Sequence, residues 1–135
     1  HLSQQFQQRR VRKVYEAVLA GDVKMENGVI ELPLWGDKSD RPYQKVDWQR
    51  GKPSVTQFQV IARIGGSTRV EFLPLTGRTH QLRVHAAEGL GVTILGDRLY
   101  GCRANVERLH LHARELCFEH PQSGQIISLQ AETPF

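Results

Sequence analysis

The chain has 135 residues, of which 39% are hydrophobic, and its 18 lysines and arginines against 14 aspartates and glutamates give a net charge of +4 and a pI near 9.4. This is the length of one domain and the composition of a folded globular protein, and its basic balance favours an acidic partner such as nucleic acid. No apolar run is long enough to span a bilayer, the polar start His1-Leu-Ser-Gln-Gln does not read as a signal peptide, and two isolated cysteines, Cys102 and Cys117, fit neither a disulfide framework nor a common zinc spacing, so the expected setting is reduced and cytoplasmic.

In chain order, Leu2 and Phe6 stand at helical spacing with no capping residue before them. That predicts a helix already under way at the first residue, in a chain that is part of a longer protein. From Val11 to Leu19 the residues alternate as in a strand, with Lys13 and Tyr15 on one face. By residue type alone Tyr15 is core filling, because aromatics are routine in half-buried strands. A turn at Asn27-Gly28 leads into a short strand from Val29 to Leu34, where Pro33 marks an edge or an end. The polar loop from Trp35 to Lys45 carries Lys38, Arg41 and Lys45 with the aromatics Trp35 and Tyr43. Solvated connections and phosphate-contacting loops share that composition.

After a turn at Arg50-Gly51-Lys52-Pro53, the run from Val55 to Ile64 places Thr56, Phe58, Val60, Ala62 and Ile64 on one face. Gly65-Gly66 then makes a tight hairpin into the strand Ser67 to Leu75. Gly77 permits an unusual backbone angle, Thr79 is a candidate cap, and a short helix is expected from His80 to Glu88. On it Leu82, Ala86 and Leu90 form the apolar stripe, with Arg83 at the stripe's edge. A half-buried guanidinium cannot shed its charge, so Arg83 needs a carboxylate, a phosphate or several carbonyls within reach; spacing alone favours a structural ion pair.

Beyond Gly101, Cys102 to Glu107 reads as a loop, and strands at Leu109 to Phe118 and Gln125 to Gln130 flank a turn at His120 to Gly124. These elements make an α+β domain with a mixed, mostly antiparallel sheet and a few short helices. His80, His85, His110 and His112 invite a metal reading. It is rejected because His80 and His85 lie five apart, not four, and no acid accompanies them at ligand spacing.

Arg78-Thr-His-Gln-Leu-Arg83-Val-His85, Ile94-Leu-Gly-Asp97 and Tyr100-Gly101 together resemble the signature of the RluA-type family of RNA pseudouridine synthases. Lys13-Val-Tyr15-Glu-Ala-Val-Leu-Ala-Gly21 is similar to that family's second motif. The resemblance runs over nearly the whole chain and implies that residues 1–135 are the C-terminal portion of a single catalytic domain, an incomplete pseudouridine synthase-like fold. It further implies isomerisation of uridine to pseudouridine in RNA, begun by an aspartate, with neither metal nor organic cofactor.

Carried over residue by residue, Tyr15 would lie against the target base and Arg83 would orient the aspartate and keep it ionised. Leu82 would wall the base pocket, Arg78 and His80 would contact phosphate or pocket, and the loop holding Arg41 and Lys45 would touch substrate. Gly96-Asp97 and Tyr100-Gly101 would brace the site. The family's His-Arg-Leu-Asp motif, expected upstream of the tyrosine, does not occur in this sequence. The chain alone is therefore expected to be inactive, its Arg83 bonded to a substitute acid, anion or water, and its exposed sheet edge open to self-association. Similarity between Asp40 and Pro53 points to the branch acting on ribosomal and transfer RNA. A non-catalytic RNA-binding module is the competing reading, and it predicts salt-dependent RNA affinity without turnover.

Overall fold

The computed structural model describes all residues except 1–10, 102–107, 120–122 and 124. The expected helix at Leu2 and Phe6, the loop at Cys102 to Glu107 and most of the turn at His120 to Gly124 lie outside the described residues. In chain order the strands are β1 (Arg12–Leu19), β2 (Asn27–Trp35), β3 (Lys45–Val46), β4 (Lys52–Ile64) and β5 (Ser67–Pro74). Then come the single α-helical turn α1 (Gln81–Val84), its π-helical continuation (His85–Leu90), and strands β6 (Leu111–Glu119) and β7 (Ile126–Gln130). They form one seven-stranded sheet in the order β3-β2-β4-β5-β1-β6-β7. Every pairing among these strands is antiparallel.

The β4–β5 hairpin turns at Gly65 and Gly66, both at positive φ (57° and 83°). Two successive positive angles match the right-handed twist of the strands, and glycine adopts them without a side-chain clash. Along β4 the alternation expected from Thr56 to Ile64 holds only in its first half. Thr56 and Phe58 are buried, but Val60 pairs with Val70 and Ala62 with Arg69, so Ile61 is an extra, bulged residue. The bulge turns the later residues over and leaves Ile64 at 73% exposure. A second bulge lies on β6 at Arg114, where β1 partners step from Glu115 to Ala113.

Asn27 and Gly28 are strand, not turn. They pair with Gln59 and Phe58, and a Cβ on Gly28 would come within 2.9 Å of the Phe58 ring. The glycine is there to let β4's aromatic lie flat across β2.

One face of the sheet carries the core. Ala17 and Leu19 (β1), Ile30 (β2), Phe58 (β4), and Val70 and Phe72 (β5) pack with Leu82 and Ala86 of the helical segment and with Ile94. The opposite face is ionic: Glu16 bonds Arg69 and Arg114, and Arg114 also bonds Glu71. Because successive strand residues point to opposite sides, Tyr15 belongs to the helix side and Glu16 to the ionic side. At the sheet's outer strand β7, Ile126 (71%) and Leu129 (54%) are exposed.

Candidate active site

A cavity of about 270 Å³ opens between β1, the end of β5 and the helical segment, lined by Lys13, Tyr15, Thr76, Gly77, Arg78, His80, Gln81, Leu82, Arg83 and Leu111 among others. Five of the seven residues proposed from sequence meet here: Tyr15, Arg78, His80, Leu82 and Arg83. Arg41 and Lys45 do not line it. Arg41 sits outside on the loop between β2 and β3, and Lys45 is the first residue of β3, over the Trp35 ring at 5.2 Å.

The helix that presents Arg83 is fixed at its start by a device the sequence did not announce. Thr79 does not cap it; the N-cap is His80, in the left-handed region at φ 54°, with no side-chain cap bond. Such a backbone angle is strained for a non-glycine residue and persists only when its surroundings hold it. Gln81, buried, does much of the holding. Its Oε1 accepts from the Arg78 amide (3.0 Å) and the Thr76 hydroxyl (2.7 Å), while its Nε2 donates to the Val55 carbonyl and the Thr56 hydroxyl. One side chain thus pins the helix start to β4. His80 is held in addition by Tyr100, whose hydroxyl lies 2.8 Å from His80 Nδ1.

The Gln44 amide donates to the Tyr100 oxygen at 2.9 Å, which leaves Tyr100's own proton free to point to His80 Nδ1, an arrangement that goes with a neutral imidazole carrying its hydrogen on Nε2. Burial, and then the charge of Arg83, lower the His80 pKa, which favours that neutral form. Burial raises the Tyr100 pKa and keeps the phenol protonated. Lys13, beside Tyr15 in the cavity, also has its pKa lowered by burial.

Arg83 finds its acid in Asp97. Nε donates to Oδ2 at 3.1 Å and Nη2 to Oδ1 at 2.5 Å, a two-point grip. Asp97 is fully buried and also accepts the amides of Leu99 (3.0 Å) and Tyr100 (3.1 Å). Burial alone would raise its pKa and is the largest effect. The Arg83 hydrogen bond, the Tyr100 amide, Arg83's charge and the Leu99 amide together outweigh it and hold the carboxyl below its ordinary value. A carboxylate with four donors and no exposure is a poor nucleophile and a good anchor. Among the described residues Arg83 Nη1 makes no hydrogen bond, so one edge of the guanidinium is left over for the cavity.

His85, the second histidine of the motif, turns away from the cavity. The Ser54 hydroxyl donates to the Leu32 carbonyl and accepts from His85 Nε2 at 2.7 Å, and Nδ1 is buried with no partner among the described residues. Burial pushes its pKa down to about 4. Sequence reasoning missed Gln81, Thr76 and the Tyr100–Gln44 contact. The placing of Lys13 two residues from Tyr15 on one strand face was the available signal for the lysine.

A model of the RNA pseudouridylate synthase family matches residues 1–88. The dual-specificity RNA pseudouridine synthase RluA of Yersinia pestis is 44% identical over 138 positions, covering 99% of this chain and 66% of that protein. Its Vibrio vulnificus counterpart is 47% identical over 136 positions, covering 95% and 54%, and that of Escherichia coli is 41% identical, covering 99% and 63%. Among solved structures, human RNA pseudouridylate synthase domain containing 1 superimposes with a TM-score of 0.84 at 29% identity, over 98% of this chain and 59% of that one. Human RNA pseudouridylate synthase domain containing 4 gives 0.78 at 27%, over 98% and 62%. The chain thus spans between about half and two thirds of the length of these relatives.

Proposed function

The chain belongs to the RNA pseudouridylate synthase family, and on that premise we propose that the protein carrying it isomerises uridine to pseudouridine in ribosomal or transfer RNA. The glycosidic bond from sugar to nitrogen breaks, the base turns, and the sugar rejoins at carbon with loss of that carbon's proton. The target nucleotide must leave its stack and enter a pocket for this, and the detached base must be held while it turns. Tyr15 is the plate for the base and the group that helps remove the proton. Leu82 walls the pocket, and Arg78 and His80, the latter through its Nε2–H, offer donors to phosphate or base oxygens. Arg41, on the neighbouring loop, and Lys45, at the start of β3, are phosphate contacts.

The observation that carries this reading is the two-sided use of Arg83. Asp97 grips it from the buried side, and its remaining edge borders the same cavity as Tyr15. A catalytic aspartate laid against that edge would be kept ionised and aimed, because a nearby fixed positive charge favours the carboxylate. Asp97 is the brace and not the reacting acid, and the chain by itself is inactive. In the full-length protein, Tyr15→Phe and Arg83→Lys should each lower tritium release from uridine-labelled RNA by about a hundredfold or more while RNA binding persists. Wild-type turnover in both variants would refute the assignment, and RNA binding without any turnover in the parent would leave only a binding module.

A cytoplasmic setting is proposed with this reading, on the isolated cysteines. We also propose that the 135-residue chain self-associates through β7, whose Ile126 and Leu129 face solvent on an outer strand. Light scattering that finds a monomer at high concentration would contradict it.

A further inference from the structure

The loop joining β3 to β4 holds an indole in water. Trp48 is 77% exposed, the highest value of any large hydrophobic side chain among the described residues. Yet the loop around it is well tied down. Asp47 Oδ1 accepts the amides of Gln49 and Arg50, both at 2.9 Å, and its Oδ2 takes Arg50 Nε at 2.9 Å and Nη2 at 2.8 Å. The Arg50 guanidinium in turn lies 3.7 Å from the centre of the Trp35 ring. The Asp47 amide donates to the Pro33 carbonyl, and the Gly51 amide to that of Asp47. Gly51 admits no side chain, since a Cβ would meet the Asp47 oxygen at 2.3 Å and the Pro33 carbonyl carbon at 2.7 Å. Trp35, the other tryptophan, is covered by cations; Trp48 is left uncovered by a backbone that has little freedom to fold it away.

The surroundings are basic. Between residues 37 and 52 stand Lys38, Arg41, Lys45, Arg50 and Lys52 against Asp37, Asp40 and Asp47. Two of those acids are engaged locally, Asp37 by Ser39 and Asp47 by Arg50. Arg41, Lys45 and Lys52 are exposed. The segment is fastened to the cavity at two points: the cavity residue Arg78 donates from Nε to the Pro53 carbonyl at 3.0 Å, and the Gln44 amide bonds Tyr100, which contacts the cavity residue His80.

From this arrangement we propose that Trp48, with Lys45, Arg50 and Lys52, is a second RNA contact outside the cavity, a stacking platform for an unpaired base of the strand whose uridine enters the pocket. The inference rests on the RNA-modifying reading above and adds a site to it. An exposed indole on a loop with basic neighbours in sequence suits single-stranded nucleic acid, since every base has a face to stack and a phosphate to neutralise. Lysine is depleted in protein–protein interface cores, so the exposed Lys45 and Lys52 suit a protein partner less well.

The test is a titration of the full-length protein with a fluorescently labelled short oligouridylate. Trp48→Ala should weaken binding roughly ten- to a hundredfold, Trp48→Phe should restore most of it, and the slope of log affinity against log salt should stay as in wild type. Lys52→Gln should instead flatten that slope by about one contact. Trp48→Ala affinity equal to wild type, with wild-type pseudouridine formation intact, overturns the platform and leaves the proposed activity standing. A wild-type protein that neither binds the oligouridylate nor forms pseudouridine in cellular RNA overturns both. Equal loss in Trp48→Ala and Trp48→Phe also counts against stacking, provided both variants melt at the wild-type temperature.

Discussion

Both faces of the sheet hold partly buried arginines paired with carboxylates, and they differ in what is left over. On the ionic face, Glu16 takes Arg69 at 2.6 Å and Arg114 at 3.3 Å, Arg114 takes Glu71 at 2.5 Å, and Arg69 also reaches the Phe135 carbonyl at 2.9 Å. Two cations and two acids bond one another there, and each arginine donates from both terminal nitrogens, Arg69 to Glu16 and the Phe135 carbonyl and Arg114 to Glu16 and Glu71. On the helix face, one acid does the work of several partners: Asp97 binds two backbone amides as well as Arg83, and among the described residues Nη1 of the arginine is left unbonded beside a cavity. A closed network stabilises; an arginine gripped from one side only is prepared for a second anion. The same residue type, at similar burial, is structural in one place and suited to chemistry in the other.

Removing one acid from each side is the strongest way to break that comparison. Asp97→Ala leaves the Arg83 charge half-buried and two amides without acceptors, so it should cost about 3–5 kcal/mol in urea unfolding. Glu16→Gln, on the more exposed network, should cost about 1–2 kcal/mol, because a neutral acceptor and Glu71 remain. Equal losses would erase the distinction between the two faces.

Next in size is a pH effect that belongs to the helix face. His85 has a folded pKa of about 4 against an ordinary 6.5, so the unfolded chain takes up its proton first. Stability should therefore be unaffected by this group above pH 6.5, fall by about 3 kcal/mol between pH 6.5 and 4, and level off below. Asp97, with its folded pKa below the usual carboxylate value, withdraws its contribution at lower pH still. His85→Gln should flatten the upper part of the curve and leave the lower part in place; an unchanged curve would show that the buried imidazole is not the group responsible.

The smallest effect concerns the Tyr100 bridge. Tyr100→Phe removes the donor to His80 and the acceptor for Gln44, and should cost about 1 kcal/mol. More telling is the imidazole itself: nitrogen NMR should report the Nε2–H tautomer in the wild type and a tautomeric mixture in the variant, with faster exchange of the Gln44 amide. A His80 tautomer that ignores the substitution would mean that the loop and the cavity are not linked through Tyr100.

Local signals in the chain were enough for the β4–β5 hairpin, whose Gly65-Gly66 turn sits between two alternating runs. They sufficed for Tyr15 as a mid-strand residue, for the Leu82, Ala86 and Leu90 stripe, and for Arg83 as an edge position in need of an acid. Each follows from chirality, side-chain period or desolvation cost, which act over a few residues. Tertiary structure alone decided which acid that would be, because Asp97 reaches Arg83 through a turn fourteen residues on and its competitors at other positions satisfied the same chemical rule. It also decided the bulges at Ile61 and Arg114, the left-handed His80, and the two bonds through which Tyr100 joins a distant loop to the cavity. Those depend on where strands meet in space, and pairing register leaves no mark in the spacing of a single strand.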